Sequence, residues 1–155
     1  MANLDDKFDV LKGWEPGGDA SIDQSFPPEV IGGTAVTLLP GTIVTLDASG
    51  FVNAATSPAD VTLGTAQPLQ VYVVAEGNGD DYSAQFVEKV VVLRGKLTVR
   101  TDKLAAAQTF PIGGAVSYDT GLLEDAGAAA TTQAIGTVIA NNVATDGTID
   151  VELDL

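Results

Sequence analysis

The sequence predicts an all-β fold: an antiparallel β-barrel or sandwich with an internally repeated hairpin unit, preceded by an extended N-terminal arm. Three observations predict it. From residue 34 onward, short runs of strand-favouring residues follow one another, parted by Gly, Pro, Asn and Asp turn signals at short intervals. Two stretches about 72 residues apart repeat the same order of turn and strand signals. Residues 1–30 hold no sustained period and are broken by Pro16, Gly17-Gly18 and Pro27-Pro28, which interrupt helices and remove strand donors.

The arm comes first, and its composition is unusual for a linker. It carries Phe8, Val10, Leu11, Trp14, Ile22 and Phe26, including the only tryptophan of the chain. Rings of this size on a Gly- and Pro-interrupted segment must find a surface elsewhere. They either pack back on their own domain or dock on a neighbour, as aromatic interface anchors do. Phe8, Trp14 and Phe26 are therefore candidate contact residues.

The β-rich domain is expected over 31–155. Strands are predicted at Ala35–Leu39, Ile43–Leu46, Phe51–Ala54, Val71–Ala75, Phe86–Leu93, Leu97–Arg100, Ala115–Tyr118, Leu122–Glu124, Ile135–Ala140 and Thr148–Leu153. Turns are predicted at Pro40-Gly41, Ser49-Gly50, Gly77-Asn78-Gly79, Arg94-Gly95, Gly113-Gly114, Thr120-Gly121 and Asp146-Gly147. Thr101–Gln108 (TDKLAAAQ) reads as a helical turn or two after a Thr or Asp cap, and Asp125–Gln133 as a loop. The repeat aligns residues 41–66 with 113–138. It matches Gly41/Gly113, Val44/Val116, Asp47/Asp119, Gly50/Gly121, Ala55/Ala126, Gly64/Gly136 and Thr65/Thr137, with a one-residue slip at the turn.

Composition narrows the chemistry. At 155 residues the chain is long enough to bury an ordinary core. Cysteine is absent, which excludes disulfides, thiol catalysis and thiolate metal sites; histidine is absent too, removing the commonest general base and transition-metal ligand. The start MANLDDKFDVLKGWEPGG is acidic where a secretory signal is basic, and no run approaches the roughly 20 apolar residues of a membrane span. The expectation is a soluble protein made in a cytoplasm. A net charge of −14 makes nucleic acid and anionic membrane poor partners.

Candidate sites are few. The loop Glu76 to Tyr82 places oxygen ligands at alternate positions as a calcium loop begins, but Asp81 stands where an EF-hand needs glycine and Val87 where it needs a bidentate acid. An acidic hairpin tip is the better account, and no metal ligand or cofactor is assigned. No nucleophile elbow, P-loop or dinucleotide fingerprint is present, so no catalytic residue is assigned and no enzyme activity is expected. The cations are concentrated: Lys89, Arg94, Lys96, Arg100 and Lys103 fall within 15 residues, while 13–88 and 104–155 have none. Read as one strand, this segment sends Val91, Leu93, Leu97 and Val99 to one face and Arg94, Lys96, Thr98 and Arg100 to the other. A basic ridge on an acidic protein serves either to neutralise the chain's own carboxylates or to meet an acidic partner or neighbouring subunit, which makes Arg94, Lys96 and Arg100 candidate contact residues.

The order of these signals carries a resemblance. Val44-Thr-Leu-Asp47 and Val116-Ser-Tyr-Asp119, each followed by a Gly turn, an apolar strand and an Ala-rich loop, lead to Leu63-Gly-Thr-Ala66 and Ile135-Gly-Thr-Val138, and the chain closes on Asp146-Gly-Thr-Ile-Asp-Val-Glu-Leu153. Over residues 34–153 this resembles the small β-rich capsid decoration (cement) proteins of tailed bacteriophages. The resemblance implies a non-enzymatic homotrimer on the outer capsid surface of the virion, clamping major capsid protein subunits, often through an N-terminal arm. A structural or receptor- or glycan-binding segment of a phage tail or head fibre is the alternative, since repeated β units serve there too. A carboxylate- and metal-dependent β-barrel hydrolase is the least favoured alternative.

Overall fold

Alternating and continuous runs of Val, Ile, Leu and Thr, cut by glycine turns, make the described residues mostly antiparallel strand with almost no helix. The computed structural model describes residues 7–13, 20–28, 30–31, 34–47, 49–55, 71–77, 90–126 and 134–155. Its elements are β1 (Phe8–Lys12), β2 (Ala20–Phe26), β3 (Val30–Ile31), β4 (Thr34–Ala35), β5 (Ile43–Leu46), β6 (Val52–Ala54), β7 (Val71–Glu76), β8 (Val90–Thr101), β9 (Ala115–Asp119), β10 (Leu122–Asp125), β11 (Gly136–Asn142), the single-turn helix α1 (Val143–Asp146) and β12 (Thr148–Asp154). The strands pair antiparallel in the order β10-β9-β11-β12-β8-β7-β5-β6, and the sheet curls into a half-barrel. β1 and β2 also pair with β8, while β3 and β4 form a small ladder of their own.

Polar backbone groups at the sheet margins are satisfied by neighbouring segments, as buried or exposed edges require. The Ile43 amide donates to the Gly121 carbonyl at 2.8 Å and the Gly121 amide to the Ala55 carbonyl at 2.9 Å, so the β9–β10 turn closes on the far end of the sheet. Residues 103–105 cover the outer edge of β10 through Leu123 N–H to Lys103 O and Ala105 N–H to Leu123 O. The Pro27 carbonyl covers β6 by accepting from the Val52 amide.

The repeat runs deeper than two hairpins. The strand order is a palindrome, β10-β9-β11-β12 followed by β8-β7-β5-β6, and the registers of the two halves correspond. Ile43↔Val73 and Val44↔Tyr72 in the first half match Ala115↔Thr137 and Val116↔Gly136 in the second. Val74↔Val92, a bulge and Glu76↔Val91 match Val138↔Val151, a bulge and Ala140↔Asp150. The opening turns agree as well: Gly41 donates to Val74 O and Gly113 to Val138 O, both at 2.8 Å, from glycines with φ of 87° and 83°. The left-handed backbone there favours glycine. β5–β8 and β9–β12 are therefore two copies of one four-stranded unit. In this pairing the counterpart of Gly136 is Tyr72; Gly64 and Thr65, which the sequence aligned with Gly136 and Thr137, lie outside the described residues.

Two cores follow from the repeat. In the first unit Leu38, Val44, Val52, Val74, Val90 and Val92 are buried together with Tyr72, and Leu46 packs against them. Their counterparts Phe110, Val116, Leu123, Val138, Ile149, Val151 and Tyr118 are all buried in the larger core. Ile43, Ala55, Val73 and Leu93, on the opposite face of the first unit, join that larger core as well. The first unit is thus buried on both faces. In the second, the corresponding Ala115, Thr137 and Glu152 are exposed, while Ser117, Thr148 and Asp150 on the same face are buried.

Three expectations are corrected. Thr101–Gln108 is not helical: Leu104 bridges to Leu123 and Ala107 turns the chain with φ 59°. An isolated helix of that length is marginal, and the edge of β10 takes its backbone instead. Ala35–Leu39 is not a ladder strand, because only Thr34–Ala35 pairs and Leu38 instead plugs the smaller core. Arg94-Gly95 is not a turn; β8 runs unbroken for 12 residues, with Gly95 exchanging hydrogen bonds with Leu155.

Candidate interaction surface

The basic ridge and the arm meet on β8. Period-two alternation sends Leu93, Leu97 and Val99 into the larger core and leaves Arg94, Lys96, Thr98 and Arg100 on the opposite face. The two neighbours of this half of β8 carry acid. β12 sets Asp150 opposite Arg100, Glu152 opposite Thr98 and Asp154 opposite Lys96, while β1 sets Asp9 opposite Arg100 from the other side.

Arg100 holds Asp150 in a fork, Nε to Oδ1 at 2.7 Å and Nη2 to Oδ2 at 2.9 Å. Bidentate geometry of this kind fixes the guanidinium plane as well as its charge. The hydrogen bond to Asp150 and its negative charge push the Arg100 pKa above its ordinary value. Lys96 lies 3.9 Å from Glu152 with both side chains more than half exposed, a loose pair. Arg94 sits with its guanidinium carbon 5.9 Å from the centroid of the Tyr72 ring, a cation–π distance. Lys103 pairs with Asp102 at 3.0 Å.

The aromatic residues of the arm occupy two different places. Phe8 is half-buried against the larger core and Phe26 against the smaller one, where its ring lies 5.9 Å from that of Tyr72. Both therefore pack on their own domain. Trp14 lies outside the described residues. β1 and β2 each run antiparallel to β8, from Phe8↔Thr101 to Lys12↔Thr98 and from Ala20↔Gly95 to Phe26↔Val90.

Near the end of the ridge, Asp146 accepts from both the amide and the hydroxyl of Thr148, while its backbone carbonyl accepts from the Lys7 ammonium. The Thr148 hydroxyl bond holds the Asp146 carboxyl below its ordinary range. Sequence reasoning singled out none of Asp146, Asp150, Glu152 or Asp154 as partners of the ridge. The signal was present: Asp150, Glu152 and Asp154 alternate with the same period of two as Arg94, Lys96 and Arg100.

Among the described residues no cluster of three or more carboxylates stands close enough to hold a metal ion, and no helix is long and apolar enough to cross a membrane. Residues 78–82 of the acidic loop lie outside the described residues. No protein-family profile, curated protein or solved structure matches the chain.

Proposed function

We propose that the protein is a structural component of a phage virion that binds the outer surface of the head and stabilises contacts between major capsid subunits, assembling as a homotrimer. The observation that supports this most is the doubled four-stranded unit with an arm laid on it. Repeated β modules of this kind suit a scaffold that presents surfaces. The resemblance to decoration proteins rests on the order of turn and strand signals in residues 41–66, 113–138 and 146–153. The strong negative charge favours solubility at the concentrations needed to coat a head. On this proposal Arg94 and Lys96, the ridge cations less tightly engaged than Arg100, face the capsid together with the Trp14 region of the arm.

The test is co-sedimentation with expanded heads that lack decoration. Binding to saturation, with a raised temperature of head disruption, supports the proposal. Absence of binding at both low and high salt refutes it. A polydisperse fibre or glycan capture by the purified protein would favour the tail or head-fibre alternative.

A further inference from the structure

We infer that the N-terminal arm is an exchangeable element: β1 and β2 of one copy of this chain add to β8 of another copy, in the same register that they hold here. The inference rests on the placement of the arm and not on the capsid proposal, so the two fail separately.

Three observations carry it. First, the described pairing of β1 and β2 is with β8 alone, so the arm is a terminal layer on one long strand and removing it breaks no other ladder of the ten-stranded sheet. Identical contacts are available on any other copy, which is why exchange of a terminal element is a low-cost route to association. Second, between arm and body the described residues form a two-stranded ladder separate from the main sheet, Val30↔Ala35 and Ile31↔Thr34, and its Val30 is 56% exposed. Opening that hairpin frees a tether of about 20 Å without disturbing the main sheet. Pro27, whose carbonyl accepts from Val52, lies on the arm side of this hinge and would travel with it to the Val52 of the acceptor.

Third, the charges match. Residues 1–28 hold six carboxylates against Lys7 and Lys12, while the body, strongly acidic elsewhere, gathers Arg94, Lys96 and Arg100 on β8. Asp9 faces Arg100 across the β1–β8 ladder. Although β12 already supplies carboxylates to the ridge, its cations make β8 the least repulsive line of approach for an acidic arm, and Asp9 meets Arg100 in the same register in trans as in cis. The ridge thereby acquires a second role, as a guide for the arm of a neighbour.

The chain has no cysteine, so a designed pair reports the connection directly. Ser25 and Val91 are register partners across β2 and β8, within the Cα separation that a disulfide spans. The full chain carrying Ser25→Cys and Val91→Cys is oxidised at high micromolar concentration and run without reductant. Exchange predicts that most chains migrate as covalent dimers, trimers or higher species, and that mixing the two single variants yields the mixed disulfide. A uniformly monomeric band with an internal disulfide overturns the inference, because the arm then stays on its own body. Failure to form either disulfide overturns it too, since the described register would not be populated. A folded protein is verified by unchanged β-type circular dichroism.

Discussion

The two opening glycines of the repeated unit offer a matched experiment. Gly41 and Gly113 have φ of 87° and 83°, so alanine at either site meets the same left-handed backbone. That conformation costs alanine about 1–2 kcal/mol, and the stiffer unfolded chain returns about 0.4–1 kcal/mol. Gly113→Ala is therefore expected to lose about 0–1.6 kcal/mol of stability, because its added methyl meets nothing within 4 Å. At Gly41 the same methyl would lie 2.8 Å from Thr101 Oγ1, 3.0 Å from the Phe8 ring and 3.1 Å from Lys103 Cγ. Thr101 is buried and its hydroxyl accepts from the Lys103 amide, so it does not move freely. Relief must come from displacing Phe8, which adds about 1–3 kcal/mol of overpacking. Urea unfolding of the two variants should separate their midpoints by that difference, and hydrogen exchange should quicken in β1 only for Gly41→Ala. Equal losses at the two sites, or a larger loss at Gly113, would refute the claim that the arm is seated on Gly41 and Thr101.

Further outcomes are expected. Burial raises the Tyr118 pKa above its ordinary value, so its contribution is intact below that value and declines as pH rises through the folded one. Tyr118→Phe should therefore flatten the loss of thermal stability above about pH 10, read by melting temperature. The Asp146 carboxyl has a lowered pKa, so what it contributes is present above the ordinary value of 3.8 and is lost as pH falls below it; Asp146→Asn should weaken the acid dependence of unfolding in that range. Leu123→Ala, 1% exposed in the larger core, should cost about 2–5 kcal/mol by urea denaturation. Ile112→Ala, 71% exposed, should stay within about 0.5 kcal/mol. On the capsid proposal, replacing Arg94, Lys96 and Arg100 together with Gln should weaken head attachment and flatten its salt dependence while the circular dichroism stays β-type; unchanged binding and salt response would confine the ridge to internal pairing.

Much of the sheet was legible because turn glycines and β-branched runs are local signals. Ile43–Leu46, Ala115–Tyr118 and Thr148–Leu153 announce themselves this way, and so does the Gly41/Gly113 equivalence. What stayed hidden depends on partners distant in the chain. Nothing near Phe8 says that it will lie opposite Thr101, and TDKLAAAQ carries helix-forming residues that the uncovered edge of β10 overrides. The equivalence of Tyr72 and Gly136 was masked by the closer likeness of Gly64-Thr65 to Gly136-Thr137. At the ridge, the basic half of the pattern was visible as a cluster, whereas its acidic partners on β12 were spread along a strand read only for its valine and leucine.

The opposite burial of the two units shows how one backbone plan serves two different surroundings. In the first, Ile43, Val73 and Leu93 adhere to the second; the corresponding positions of the second are Ala115, Thr137 and Glu152, facing water. Three side chains differ in polarity and exposure between the units, with no alteration of backbone pairing. Changing them to the apolar residues of their counterparts would leave an apolar patch in water, a surface prone to association.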